Sequence, residues 1–150
     1  MQANFTVRHA VIDDCESLAK LSFEDMGYYQ TAEHTRYQFE RIMKTGRDVI
    51  FVAVCQKDGK DEIAGYIHAA DYDLLYTGHM KNILGLAVSS DFRRMGIGSA
   101  LIKAVEDWAK ADNADGIRLV SGESRTAAHE FYRKQGFTSN KKQLNFKKMF

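Results

Sequence analysis

A strand pattern that directly precedes an amphipathic helix is the feature that most constrains how this chain can fold. Residues 83–88 are apolar throughout, which is typical of a strand buried on both faces. After a loop, apolar residues recur at i, i+4, i+7, i+8, i+11 and i+12 and predict one buried helix face: Ile97, Leu101, Ala104, Val105, Trp108 and Ala109. Burying both elements requires a sheet with a helix packed on it.

Shorter patterns on either side extend this arrangement. Strand patterns occupy residues 5–10, 49–54, 63–70, 117–120 and, more weakly, 137–150. One helical pattern begins after Asp13 or Asp14, and two further helical patterns occupy residues 31–44 and 126–135. The dipeptide Asp58-Gly59 predicts a hairpin between the second and third strands along the chain. The order β-α-α-β-β-β-α-β-α-β indicates a mixed α/β sheet with helices on its faces.

The composition is that of an ordinary globular chain. Of 150 residues, 45% are hydrophobic and 27% are charged, and no linker or repeat is visible, so we expect one domain over residues 1–150. Lys plus Arg is 21 and Asp plus Glu is 20, and the resulting net charge of +1 argues against nucleic acid or an acidic membrane as a partner. The longest apolar run, residues 49–55, is far shorter than the roughly 20 residues of a spanning helix.

Cysteine and histidine usage predicts no metal site and a reducing compartment. Cys15 and Cys55 fit no metal-ligand spacing, and the histidines lie on separate predicted elements. Residues 1–10 contain several polar side chains and lack the apolar stretch of a signal peptide. We therefore expect a cytoplasmic protein whose two thiols are reduced.

The loop between the 83–88 strand and the following helix carries the most informative chemistry. It holds Arg93 and Arg94, then Gly96 and Gly98, and it opens onto the first turn of the helix. The first N–H groups of a helix have no partner inside it, and the helix dipole places partial positive charge there. Glycine lets an anion approach the backbone, and guanidinium groups bind phosphate oxygens. The loop is therefore a candidate diphosphate site.

Simpler and competing explanations of this loop fit less well. Two glycines can merely ease a tight turn at a helix start, but that leaves the two adjacent arginines unexplained. A P-loop needs Gly-x-x-x-x-Gly-Lys-Ser/Thr, which the sequence does not contain. A dinucleotide-binding fingerprint needs a third glycine, and Leu101 occupies that position.

Two motifs resemble the signature of the GNAT N-acetyltransferase superfamily. The first is a strand and loop, Leu86-Ala87-Val88 followed by Arg93-x-x-Gly96-x-Gly98. The second is the stretch 128–137, whose Phe-Tyr and Gly-Phe pairs are similar to the family's late helix. Both occur in the family's order, and the order of strands and helices matches over nearly the whole chain. The resemblance implies a GNAT-like mixed, mostly antiparallel sheet flanked by about four helices, with splayed strands at the cofactor site.

The resemblance also implies acetyl-CoA as co-substrate and suggests which residues bind it. Loop residues would hold its diphosphate through their backbone amides: Arg93, Arg94, Met95, Gly96, Ile97, Gly98 and Ser99. The preceding strand would offer main-chain groups to the pantetheine arm: Leu86, Ala87 and Val88. Late residues would complete the site: Arg125, Ala128 and Phe131 as cofactor contacts, and Tyr132 as the general acid for the departing thiolate. Tyr132 could instead be one more aromatic residue on a buried helix face.

Two positions depart from the family pattern. Arg125 stands where the family often has asparagine, so its contact with the cofactor would differ. Many members carry a glutamate base on the strand before Leu-Ala-Val, but residues 82–85 here are Asn-Ile-Leu-Gly. A base must then come from elsewhere or act through water, and each candidate is also an ordinary surface group: Glu24, Asp25, Asp71, Asp73, His79 and Glu123.

The activity implied by the resemblance is acetyl transfer to a primary amine by direct attack in a ternary complex, since neither cysteine matches a family nucleophile. Aromatic and acidic residues on the implied acceptor-binding stretches favour a cationic small molecule: Phe23, Glu24, Asp25, Tyr28, Tyr29, Tyr66, Asp71, Tyr72, Asp73 and Tyr76. Two alternatives stay open. One is a CoA-responsive binding module without catalysis, and the other is acetylation of a protein lysine or N-terminus. Family members are often homodimers, which is a further expectation.

Overall fold

A computed structural model describes residues 4–150. Residues 1–3, which belong to the polar stretch that argues against a signal peptide, lie outside the described residues. The chain divides into two compact units, Met1–Leu119 and Val120–Phe150, so a single domain over residues 1–150 stays a prediction. None of the helices between residues 4 and 150 is both long and apolar enough to cross a membrane.

The first unit contains one five-stranded sheet. Its strands are β1 (Phe5–His9), β2 (Asp48–Lys57), β3 (Lys60–Asp73), β4 (His79–Val88) and β5 (Gly116–Leu119). They lie in the order β1-β2-β3-β4-β5; the first four are antiparallel neighbours, and β5 runs parallel to β4. The predicted Asp58-Gly59 turn joins β2 to β3. The mixed, mostly antiparallel sheet is therefore confirmed.

Helices cover both faces of this sheet. The first unit contains α1 (Cys15–Met26), α2 (Ala32–Lys44) and α3 (Ile97–Ala111), and the second unit contains α4 (Thr126–Lys134). On one face, Leu18 and Leu21 of α1 join a buried cluster with Tyr66 of β3. Neighbouring strand residues point to opposite faces. A Cβ at Gly65 would lie 3.0 Å from Ile97 Cγ2, so α3 packs closely against the other face.

The start of α1 differs from the expected cap. Asp14 occupies the N-cap position, but its side chain makes no capping hydrogen bond to that helix within the described residues. Its carboxylate instead accepts the Val11 N–H at 2.8 Å and pairs with the Arg8 guanidinium at 2.8 Å. These contacts hold β1 to the turn before α1. At α2, Thr31 caps in the usual way by accepting the His34 N–H at 3.0 Å.

The end of the chain corrects one prediction. Residues 137–150 form no strand in the part of the chain that the structure describes, and the side chains of residues 138–150 are all exposed. Leu144 and Phe146 alternate with polar residues, but Lys147 and Lys148 interrupt the pattern. A strand also needs a neighbour for its N–H and C=O groups, and a weak local pattern does not supply one.

Candidate cofactor site

The loop from β4 into α3 has the geometry expected of an anion site. Phe92 is buried and anchors the loop, while the N-cap residue of α3, Gly96, is exposed and has φ +81°. Side chains rarely adopt this left-handed conformation. A Cβ at Gly96 would meet nothing within 4 Å, so open space adjoins the backbone. The backbone at the N-terminus of α3 is therefore exposed at Gly96, and diphosphate binding there stays a prediction.

Two arginine residues directly precede this helix N-terminus in the loop. Arg93 and Arg94 are both exposed, and Arg93 Nη2 is 3.4 Å from Asp25 Oδ1. The remaining loop residues of the predicted diphosphate site are contiguous with them, from Met95 to Ser99. Backbone donors, partial positive charge from the helix dipole and two guanidinium groups together match the hydrogen-bonding needs of a diphosphate.

One edge of β4 is open just before this loop. Pairing between β4 and β5 ends at Ile83↔Leu119, and a bulge at Leu84 shifts the register against β3. Within the described residues, positions 84–88 have only β3 as a neighbouring strand. Ser89 donates its N–H to Ala64 O of β3 at 2.7 Å, so by alternation the N–H groups of Leu86 and Val88 point away from β3. The predicted splay therefore leaves these two N–H groups without a strand partner among the described residues.

A polar cluster from α1 adjoins this open edge. Asp25 Oδ2 accepts the Val88 N–H at 3.1 Å. Ser22 Oγ donates to Leu18 O at 2.8 Å and lies 2.6 Å from Tyr66 OH, so Tyr66 is the donor in their bond. Burial raises the pKa of Tyr66, and the nearby Asp25 charge adds to the increase. The sequence analysis named Asp25 and Tyr66 but did not predict these partners, which are distant along the chain.

The second unit presents the remaining candidate residues on α4. Ala128, Phe131 and Tyr132 are half-buried, and Arg125 is exposed at the N-cap position. The Tyr132 ring lies edge-on to Phe131 at 5.4 Å and to Phe137 at 5.9 Å between ring centroids. Tyr132 is therefore part of an aromatic group, and its role as general acid stays a prediction.

Two of the candidate bases, Asp71 and Asp73, are paired with basic side chains at the other end of β4. Lys81 is 1% exposed, and its Nζ lies 2.5 Å from a carboxylate oxygen of both Asp71 and Asp112, over the Trp108 ring. Asp73 instead contacts His79 Nδ1 at 2.7 Å, and His79 Nε2 contacts Asp112 at 2.8 Å. The predicted acceptor role of Asp71 and Asp73 is thus unsupported by their contacts.

The same end of β4 has the spacing of a metal site but holds a cation of its own. Side-chain ligand atoms of Asp71, His79 and Asp112 lie within 4.8 Å of one another. The Lys81 ammonium bonds both carboxylates. Burial lowers the pKa of Lys81, but hydrogen bonds to Asp112 and Asp71 outweigh it, and the pKa is raised overall. The ammonium therefore supplies the positive charge that these carboxylates need.

The candidate bases Glu24, Asp25 and Glu123 are placed differently. Glu24 is exposed on α1. Glu123 Oε1 accepts a hydrogen bond from Lys142 Nζ at 2.7 Å within the second unit. Asp25 alone among the candidate bases within residues 4–150 contacts both the open edge of β4 and the diphosphate loop.

Solved structures of other proteins share this fold. A transcriptional regulator from Bacillus halodurans C-125 has a TM-score of 0.83 and 25% identity, covering 96% of this chain and 99% of its own. Glucosamine-6-phosphate N-acetyltransferase from Arabidopsis thaliana has a TM-score of 0.81 and 22% identity, covering 96% and 98%. The aminoglycoside N-acetyltransferase AAC(6')-Iy, in complex with a bisubstrate analogue of CoA, has a TM-score of 0.81 and 17% identity, covering 98% and 99%.

Sequence comparison gives the family itself. An uncharacterized N-acetyltransferase of Methanocaldococcus jannaschii is 30% identical over 141 residues, which is 89% of this chain but only 60% of that protein. The Acetyltransferase (GNAT) family profile matches residues 13–137, a span that includes the β4–α3 loop and α4. With the motifs, the fold and the family profile in agreement, the chain belongs to the GNAT acetyltransferase family.

Proposed function

We propose that this chain transfers an acetyl group from acetyl-CoA to the primary amine of a small molecule. The observation that carries the proposal is the accessible N-terminus of α3, where exposed Arg93 and Arg94 flank an open Gly96. The open edge of β4 adds the Leu86 N–H, which points away from β3 and suits an amide group of an extended arm. Acetyl-CoA would supply the activated acyl group as a thioester.

Each stretch of the chain has its own proposed role. Residues 93–99 bind the diphosphate, and residues 86–88 align the arm along β4. Arg125, Ala128 and Phe131 contribute further contacts. The neutral amine nitrogen bonds to the acetyl carbonyl carbon, the carbon–sulfur bond breaks, and Tyr132 donates a proton to the departing thiolate; the nitrogen loses its proton to water, from which Tyr132 is reprotonated.

Direct attack by the amine is favoured over an acetylated cysteine. Cys15 is 0% exposed and Cys55 is 1% exposed. Burial raises the pKa of both thiols, which disfavours the nucleophilic thiolate. Neither sulfur is therefore suited to carry the acetyl group.

The acceptor class rests on the aromatic surface beside α1 and on the relatives. Phe23, Tyr28 and Tyr29 are each more than half exposed, and Phe23 and Tyr29 form an edge-on pair at 5.8 Å. Aromatic faces attract ammonium groups. Two structural neighbours are named for amino sugars, glucosamine-6-phosphate and an aminoglycoside. We therefore propose a small amine of this kind, acetylated in a ternary complex.

A CoA-responsive module without catalysis is the second candidate. Residues 82–85 carry no carboxylate. The structural neighbour from Bacillus halodurans, which is 25% identical, is named a transcriptional regulator. This candidate predicts cofactor binding without thiol release for any amine.

Calorimetric titration with acetyl-CoA tests the proposed site. The double variant Arg94→Ala/Gly98→Ala removes one guanidinium group and adds a methyl group in the first turn of α3. We expect it to weaken binding by about 100-fold, because a charge-assisted contact and close backbone approach are both lost. Wild-type protein that does not bind would refute the proposal. Binding followed by amine-dependent thiol release would exclude the non-catalytic module.

Substituting Tyr132 tests the chemical step separately. Tyr132→Phe keeps the ring that packs against Phe131 and Phe137 but removes the hydroxyl. We expect kcat to fall by about 100-fold while the dissociation constant for acetyl-CoA changes by less than about twofold. Equal losses in binding and turnover would show instead that Tyr132 is a packing residue.

A further inference from the structure

Asp25, in the last turn of α1, holds two groups that belong to the proposed cofactor site. Its Oδ2 accepts the Val88 N–H at 3.1 Å, and its Oδ1 lies 3.4 Å from Arg93 Nη2. The Val88 N–H lies on the open edge of β4, and Arg93 begins the diphosphate loop. A ligand that used both groups would therefore compete directly with Asp25.

These two contacts stabilise the charged form of Asp25, whose position is otherwise unfavourable for a carboxylate. Its side chain is 22% exposed, so water solvates the carboxylate only in part. The C-terminal end of a helix carries partial negative charge, which opposes a carboxylate in the last turn of α1. Val88 and Arg93 offset both costs by donating hydrogen bonds.

Loss of these partners would leave a carboxylate that favours a cation. A carbonyl oxygen at the Val88 N–H and a phosphate at Arg93 would displace Asp25 from both donors. The carboxylate would then lie unpaired in the last turn of α1, which Phe23 shares and which Tyr28 and Tyr29 follow along the chain. An unpaired, partly buried charge is costly, and an ammonium group removes that cost.

We propose that Asp25 is the ammonium-binding residue of the acceptor site, and that cofactor binding creates this site by taking over the Val88 and Arg93 donors. The inference rests on the proposed function, because it requires CoA at the open edge of β4. It assigns the acceptor a primary ammonium group and predicts that amine binding follows cofactor binding. Asp25 binds the cation, and no covalent step is assigned to it.

The experiment measures coupling between two ligands by calorimetry. CoA, which cannot transfer an acetyl group, serves as the cofactor, and spermidine serves as the ammonium probe, with their association in buffer subtracted. Spermidine is titrated into wild-type protein with and without saturating CoA. We expect its affinity to rise about tenfold with CoA, and by linkage spermidine must raise the affinity for CoA by the same factor.

Three variants separate the Asp25 contacts from general charge effects. Asp25→Asn should bind CoA about threefold more tightly than wild type, because the competing carboxylate is gone, and should lose the spermidine coupling. Asp25→Glu keeps the charge and should retain part of the coupling. Asp91→Asn makes the same charge change close to Arg93, on a side chain that contacts Lys57, and should match wild type in both titrations.

The outcomes distinguish this inference from the proposed function. Undiminished coupling in Asp25→Asn, with normal CoA binding in wild type, would overturn the inference alone. A gain in CoA affinity that Asp91→Asn reproduces would also overturn it, because only net charge would then matter. Wild-type protein that does not bind CoA would overturn both.

Discussion

The two ends of β4 use charged side chains in opposite ways. At its N-terminal end, Lys81 is buried and bonded to Asp71 and Asp112. Beyond its C-terminal end, Arg94 is exposed next to an open helix N-terminus, and exposed Arg93 makes a 3.4 Å contact with Asp25. A charge whose partners are protein groups stabilises the fold. A charge left in solvent beside backbone donors is available to a ligand.

The two termini of α3 lie near the two ends of β4 and carry opposite partial charges. Its N-terminus carries partial positive charge and lies next to the diphosphate loop. Its C-terminus carries partial negative charge, and Asp112, the C-cap residue, contacts both Lys81 and His79. The dipole therefore favours an anion at one end and the buried cation at the other.

Removing the buried ammonium should have the largest effect on stability. Lys81→Met leaves the Asp71 and Asp112 carboxylates facing each other without a cation. We expect a loss of about 2–3 kcal/mol in the free energy of unfolding, less than for a fully buried pair because Asp112 is half exposed. Urea unfolding measures it. Lys103→Met, which removes a surface pair with Asp107, is the control and should leave the midpoint nearly unchanged. Equal midpoints for the two variants would contradict the comparison.

Salt should weaken CoA binding beyond the C-terminal end of β4 more than it weakens the ion pairs of Lys81 at the N-terminal end. We expect the dissociation constant for CoA to rise about fivefold between about 50 mM and about 500 mM NaCl, because exposed guanidinium groups are screened. Arg94→Ala should show a smaller rise. The urea midpoint of the wild type should change little, because the Lys81 pair is shielded from ions. Calorimetry and urea unfolding at matched salt concentrations measure the two effects, and a salt-independent affinity would show that the arginines do not contact the phosphates.

The smallest predicted effects are changes of stability with pH that arise from His79 and Asp112, near the N-terminal end of β4. Hydrogen bonds that His79 donates to Asp73 and then to Asp112 raise its pKa above 6.5. The stabilising contribution is therefore complete below about pH 6.5 and is lost as the pH rises through the folded-state pKa. We expect the urea midpoint of wild type to fall between about pH 6 and about pH 8, and that of His79→Gln to fall less. Identical pH profiles would show that His79 does not contribute.

Asp112 should give the opposite pH dependence, with stability lost as the pH falls. Hydrogen bonds from Lys81 and then His79 lower the pKa of Asp112 below 3.8. Its contribution is present above the unfolded-state value of about 3.8 and is lost as the pH falls through the folded-state pKa. We expect Asp112→Asn to flatten the acid side of the urea-midpoint profile, whereas Asp91→Asn should not.

Local patterns were sufficient for the open end of β4. The apolar spacing from Ile97 onward, the glycines of the loop and the Asp58-Gly59 turn each act over a few residues, so their geometry could be predicted. The structure confirms the α3 helix, the hairpin and an accessible N-terminus at Gly96. These features depend on backbone conformation, which neighbouring residues determine.

Non-local contacts explain what the sequence analysis missed. Lys81 is two residues before buried Ile83 and therefore shares its face of β4, which indicates that Lys81 faces the interior, but its partners come from β3 and the end of α3. The predicted strand at 137–150 failed for a related reason. Alternation can suggest a strand, but only a neighbouring strand can satisfy its hydrogen bonds.

The sequence by itself determined the order of helices and strands as far as α4, the loop that opens onto α3 and, through its motifs, the acetyltransferase family. Only the tertiary structure decided which charges are paired. It placed Asp71 and Asp73 against Lys81 and His79, and it placed Asp25 against Val88 and Arg93. The physical reason is that hydrogen bonds and ion pairs depend on distances of about 3 Å between atoms that are far apart along the chain, and packing alone sets those distances.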